Sequence, residues 1–237
     1  MATTERVREK AWVAMALALV GGCVDAVGYI TLLGVFIAHM SGNSAAMGAH
    51  FGQGKTAAGL ARAAPIPLFV IGVGGGAMLI EVLARRGVRS TAAVVLGLEA
   101  TLLFAVMLLG DASLTHGVVA AQKGWTFYGL IVLAATAMGL QTSALRRLAG
   151  QTVRTTFVTG MLTHLGEEAA KFVLPSSRPS ASASRLRLLA LVWLCYAAGA
   201  IFGGWAHDQW ALNALVAPLV VLVALIGVDL IRPIHGV

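Results

Sequence analysis

Apolar runs dominate this chain and polar residues fall mostly in the gaps between them, a pattern that predicts helices crossing a bilayer. Six windows reach the roughly 20 apolar residues needed to span a hydrocarbon core, at about 11–38, 65–84, 91–110, 126–145, 186–206 and 210–231. None shows the period-two alternation of a barrel strand, and bundled helices satisfy their own backbone hydrogen bonds, so the expected fold class is all-α. The first window, about 28 residues, is longer than a perpendicular crossing needs and must tilt, bend or run past the bilayer surface. It carries Asp25 in its interior and runs out at Ser41-Gly42-Asn43, where a helix break is expected. From there to Ala64 the residues are small and moderately polar, which suits an interfacial or re-entrant helix.

Composition strengthens this picture. Hydrophobic residues make up 58% of the 237 and charged residues 11%, with a mean hydropathy of +0.85, the balance of an integral membrane protein. The net charge of +7 reflects topology. With the N-terminus cytoplasmic, only Lys55, Arg62 and Lys123 of the 17 Lys and Arg lie outside, as the positive-inside rule requires. The expected setting is therefore the cell's inner (plasma) membrane, multi-pass, with both termini cytoplasmic. Membrane lipid is the expected partner and nucleic acid is not. The basic start and apolar run also resemble a signal peptide, but the run is too long, contains Asp25 and leads into no convincing cleavage site, so it reads as an uncleaved helix. Cys23 and Cys195 lack metal or redox spacing and read as small packing residues.

The second half echoes the first. Met40-Ser41-Gly42 followed by Gly48 matches Val158-Thr159-Gly160 followed by Gly166, with the same interval between the glycines. Upstream, Gly22-Cys23-Val24-Asp25-Ala26 corresponds to Met138-Gly139-Leu140-Gln141-Thr142, and downstream Gly72 and Gly76 correspond to Gly199 and Gly203. The second half is longer by a flexible linker, Pro175 to Ser184. This divides a single membrane domain, 1–237, into a first repeat at about 11–110, a connector at 111–124 and a second repeat at about 125–232. Three crossings per repeat set the second upside down relative to the first, the arrangement of many secondary transporters.

Asp25-Ala26 followed by Tyr29, the Ser41-Gly42-Asn43 turn, Gly139-Leu140-Gln141, Thr155-Thr156 and Thr159-Gly160 together resemble the YoaK-like bacterial membrane proteins, domain of unknown function 1275. The resemblance runs from roughly residue 10 to 232. Ser41 stands where that family tends to have threonine and keeps the hydroxyl; Thr142 stands where asparagine commonly follows the glutamine and loses an amide. The resemblance implies a polytopic inner-membrane protein and no particular substrate.

Candidate chemistry lies in the polar residues inside the apolar runs. A charged carboxylate at the bilayer midplane costs roughly 2.5–3.5 kcal/mol on insertion scales, so Asp25 must face a cavity, a cation or a partner, or be protonated. Two roles fit it: a cation or proton site, or a hydrogen bond that packs its helix against the broken segment. Glu99 poses the same choice, with no Lys or Arg expected at its depth. Gln141 is the neutral counterpart of Asp25 in the second half. Ser41, Gly42 and Asn43, with Thr159, Gly160 and Thr163, offer hydroxyls, an amide and unwound backbone to a solute, or cap the helices that follow. His164 and Glu167 fall three apart, which suits a shared ion or a solvated face. No metal is assigned to His39 or His50. Tyr29, Trp193 and Tyr196 read as packing or interfacial aromatics. No P-loop, dinucleotide fingerprint or hydrolase motif is present, so no catalytic residue, metal or cofactor is expected, and the chain is not read as an enzyme.

These readings converge on a transporter of a small molecule or ion, working by alternating access across the bacterial inner membrane, with Asp25 and the two broken segments at its centre. The alternative is a membrane scaffold that associates with itself or another protein through the Gly72/Gly76 or Gly199/Gly203 surfaces. A solute that stabilises the protein in an Asp25-dependent way favours the first.

Overall fold

Helix α1, Ala2–Thr31, carries the long apolar run and ends where the chain turns left-handed at Leu33 (φ 53°) and Gly34 (φ 88°). The Gly34 amide donates to the Tyr29 carbonyl at 2.8 Å and the Leu33 amide to Ile30 at 3.3 Å, the paired bonds of a Schellman stop. This computed structural model describes residues 2–114, 124–149, 158–173 and 183–232, with side chains at 11–110, 124–145, 159–171, 183 and 186–232. Further helices follow at Met40–Gly52 (α2), Thr56–Ala63 (α3), Pro65–Arg85 (α4), Thr91–Leu114 (α5), Trp125–Ala149 (α6), Val158–Val173 (α7), Ala183–Trp210 (α8) and Val216–Ile231 (α9). No strand occurs among the described residues, as the apolar pattern predicted.

One expectation is corrected. The break lies between Thr31 and Met40, and Ser41-Gly42-Asn43 form the first turn of α2 instead of interrupting a helix. The reason is the Schellman stop, which ends α1 well before the polar triplet. Pro65 does start a helix: it opens α4 at a position whose amide has no helical acceptor. Of the proposed connector, residues 111–114 continue α5; residues 115–123, Thr155 and Thr156, and residues 175–182 of the serine-rich linker lie outside the described residues.

α1 packs along α8 and touches α6 and α9, while α6 packs on α4 and α5. The buried core runs through Leu17, Leu96, Leu103, Phe127, Met138 and Leu222. Large apolar side chains also point outward: Met78 on α4 is 70% exposed and Ile201 on α8 74%. Exposed apolar stripes of this extent suit hydrocarbon, not water. Five helical runs among the described residues are long and apolar enough to cross a membrane: Ala11–Thr31, Thr56–Arg85, Thr91–Gly110, Trp125–Leu145 and Leu186–Ile231. The last spans 46 residues. It is interrupted at Ala211 (φ 48°) by a 3-10 turn, Ala211–Leu215.

Glycines bring two helix pairs into backbone contact. A methyl at Gly22 on α1 would fall within 3.0 Å of the Tyr196 carbonyl and the Ala200 amide on α8; one at Gly139 on α6 would do the same to the Phe69 carbonyl and the Val73 amide on α4. Reciprocally, Gly199 of α8 abuts the Leu19 carbonyl, and Gly72 of α4 the Thr136 carbonyl. The spacings agree: Tyr196, Gly199, Ala200 and Gly203 run as Phe69, Gly72, Val73 and Gly76 do, and Leu19 and Gly22 as Thr136 and Gly139 do. In this contact pattern Gly22 lines up with Gly139, and Asp25 with Thr142 and not Gln141. The Gly72/Gly76 and Gly199/Gly203 surfaces, expected as docking faces, are filled from within the chain by α6 and α1.

Candidate functional site

Two separate groups of buried polar side chains occupy the interior. The first surrounds the segment between α1 and α2. Asp25 is 3% exposed, and its Oδ1 accepts the Ile37 and Ala38 amides at 2.9 Å each. The Tyr196 hydroxyl donates to Oδ2 at 2.7 Å, and His39 Nδ1 stands 3.4 Å from the same oxygen. A carboxylate is an acceptor only, with about four lone-pair directions, so these donors nearly saturate it. Asp25 is thus fastened to the segment downstream of its own helix and to α8, the packing role weighed for it above.

Asn43, fully buried in the first turn of α2, holds the other end. Its Oδ1 accepts the Phe36 amide at 3.0 Å and its Nδ2 donates to the Phe36 carbonyl at 2.6 Å. Asn43 therefore does not cap α2, whose N-cap position is His39 and carries no side-chain cap. Gly42 lies against the Phe36 ring, Ser41 is exposed, and Phe36 stacks between Tyr29 and His39 with ring centroids 4.6 and 5.6 Å away. Arg62 of α3, itself buried, donates to the carbonyls of Ala58 and Leu33. Asn43→Ala leaves the Phe36 amide and carbonyl unpaired, so it should lower stability by about 1–3 kcal/mol in equilibrium unfolding.

His39 adds a pH dependence. Its hydrogen bond to Asp25 raises its pKa above the ordinary 6.5, against the opposing effect of burial and with the help of the Asp25 charge. A raised folded-state value stabilises the protein fully below the unfolded value and loses that stabilisation as pH rises through the folded one. The melting temperature should therefore fall with rising pH above 6.5, and His39→Gln should flatten the slope.

The second group joins α5 and α6. Glu99 of α5 and Gln141 of α6 are both 0% exposed, and their side chains interact. Neither carboxyl oxygen and neither amide atom makes a well-formed hydrogen bond. Gly21 of α1 lies beside the amide: a methyl there would sit 3.3 Å from Gln141 Oε1. No hydrogen bond joins Asp25 to Glu99 among the described residues.

The remaining candidates lie elsewhere. Thr159 is exposed on α7, its carbonyl accepting the Thr163 hydroxyl at 2.9 Å, and Gly160 is buried on the same helix, which packs against α8. His164 and Glu167 form an exposed pair at 3.2 Å. Among the described residues no three His, Cys, Asp or Glu gather to hold a metal, and both cysteines are free. An apolar cavity of about 20 Å³ is lined by Val27, Thr31, Leu103, Leu130 and Leu212, among others, and is too small for a metabolite.

Sequence reasoning missed Tyr196, Arg62 and Asp229. Asp229 Oδ2 on α9 accepts the Ala93 amide at 2.9 Å and satisfies an open amide in the first turn of α5. An acid near the end of an apolar run was a readable signal for Asp229; nothing local marked Tyr196 as the partner of an aspartate 171 positions away.

Helices with lipid-facing apolar stripes around buried polar groups define a polytopic, all-helical membrane protein. The chain belongs to the family described as "Protein of unknown function (DUF1275)", which matches residues 13–228. It is similar to the UPF0700 transmembrane protein YoaK of Bacillus subtilis (strain 168), 26% identical over 206 residues that cover 87% of this chain and 88% of that protein. No solved structure matches the chain. The resemblance drawn from the motifs is borne out.

Proposed function

We propose that this protein is a secondary transporter of a small molecule or ion, built from two inverted three-helix repeats. The observation that carries this reading is the matched pair of glycine crossings, α1 on α8 and α6 on α4, which meet through equivalent positions in the two halves. Six crossings follow if the 46-residue run, roughly 69 Å at 1.5 Å per residue, crosses twice around the turn at Ala211. The charge distribution then supports both termini on the cytoplasmic side of the inner membrane. A non-helical segment pinned at Asp25 and Asn43, with buried polar groups nearby, is the kind of element on which alternating access operates.

The two crossings are chemically unequal. Asp25 and Tyr196 at the α1–α8 crossing line up with Thr142 and Phe69 at the α6–α4 crossing; Tyr196 donates its hydroxyl to Asp25, Phe69 has none to donate, and Thr142 donates to the Met138 carbonyl of its own helix at 2.9 Å. That inequality suits two conformations that differ in the Tyr196–Asp25 bond. The saturation of Asp25 by internal donors favours the second reading, a scaffold, and a ligand screen separates the two. Purified protein is melted in detergent at two pH values against ions and small metabolites, with Asp25→Asn and Glu99→Gln alongside. A solute at about 100 times its Kd adds roughly 2.7 kcal/mol. Stabilisation of the wild type that either variant abolishes supports transport; uniform melting with every solute favours the scaffold.

A further inference from the structure

We propose that Glu99 and Gln141 form a proton-binding site, in which Glu99 is a neutral carboxylic acid hydrogen-bonded to the Gln141 side chain. This deepens the transport reading by naming the coupling ion, and its coupling role rests on that reading. Proton occupancy itself does not.

The four polar atoms of these side chains are all buried and without a well-formed hydrogen bond. An ionised carboxylate here has only an amide to offset its lost hydration, and an isolated buried charge neutralises instead of persisting. Protonation gives Glu99 an O–H donor. A carboxylic acid and a primary amide are then complementary, with the acid O–H donating to the amide oxygen and the amide N–H to the acid carbonyl. The two side chains already interact across the α5–α6 contact, so one pairing satisfies atoms on both.

Among the described residues the surroundings supply no competing charge. On α4, Glu81 and Arg85 are exposed and paired with each other at 2.9 Å. Tyr128 of α6 lies at the surface, Asp229 of α9 bonds the Ala93 amide, and Asp25 of α1 is engaged by its own donors. Among the described residues no salt bridge reaches Glu99. A metal ion is a poor fit, because hard cations take about six or more oxygens and this site offers three. A proton needs one.

Infrared spectroscopy of the full chain in lipid tests the proposal, with 13C-carboxyl glutamate assigning the signal. The expected result at neutral pH is the C=O stretch of a protonated carboxyl that shifts with the glutamate label, persists in Asp25→Asn and vanishes in Glu99→Gln. If Glu99→Gln does not fold, Gln141→Leu decides: the band remains and moves to higher frequency as the acid loses its partner. A folded wild type with no such band, or a band whose frequency Gln141→Leu does not change, overturns the proposal. A Glu99 band in a protein that moves no solute retains the proton site and removes transport. Solute uptake by a protein without the band does the reverse.

Discussion

Asp25→Ala is expected to lower stability by on the order of 3 kcal/mol or more, since each buried donor left without its acceptor costs about 1–3 kcal/mol. The substitution removes the acceptor shared by the Ile37 and Ala38 amides and the Tyr196 hydroxyl, and leaves those donors buried. It also releases the segment between α1 and α2 from its own helix and α8 from α1. A graded series checks the mechanism. Tyr196→Phe deletes one donor and should cost about 1.5–3 kcal/mol, the usual contribution of a hydrogen bond to a charged group. Asp25→Asn keeps an acceptor for the two amides and should fall below alanine in its cost. Equilibrium unfolding in a fixed detergent measures all three; an Asp25→Ala protein as stable as the wild type means that these bonds do not hold the segment.

The glycines of α4 should respond to alanine with opposite signs. Gly72 meets the Thr136 carbonyl and Gly139, and Gly76 meets Ser143, so a methyl at either displaces α6 and should cost about 1–3 kcal/mol or more. Gly74 and Gly75 face open space on the same helix. Alanine there should stabilise by up to about 1 kcal/mol, the difference in helix propensity. The same packing logic predicts that Gly22→Ala and Gly139→Ala destabilise by similar amounts, because each faces the same kind of carbonyl and amide across its crossing. Thermal unfolding of the six variants gives the comparison, and equal effects at Gly72 and Gly74 contradict the packing.

The membrane class and the glycine spacing were readable because both depend on local pattern: apolar runs of sufficient length and small residues four apart. The position of the helix break was not. Ser41-Gly42-Asn43 looks like a stop by composition, yet the stop is made at Leu33 and Gly34, and Leu33 is a poor left-handed residue that composition does not flag. Asn43 looked like a cap because capping is the commonest use of asparagine at a helix start; here its side chain reaches back to Phe36. The glycine contacts line Asp25 up with Thr142, one residue on from the Gln141 suggested by sequence. On a helix one residue is about 100° of rotation, enough to turn Gln141 away from the equivalent of Asp25 and towards Glu99. That rotation is set by the α4–α6 and α5–α6 contacts, which no single segment encodes.

Coupled movement of a solute through this bundle is measured in proteoliposomes loaded with a pH-sensitive dye and challenged with the solutes that stabilise the protein. At least one solute is expected to shift the internal pH with wild type and with His39→Gln, and Glu99→Gln is expected to abolish the proton signal. If no stabilising solute enters the vesicles or moves protons while the protein is folded and inserted, the chain is not a proton-coupled transporter.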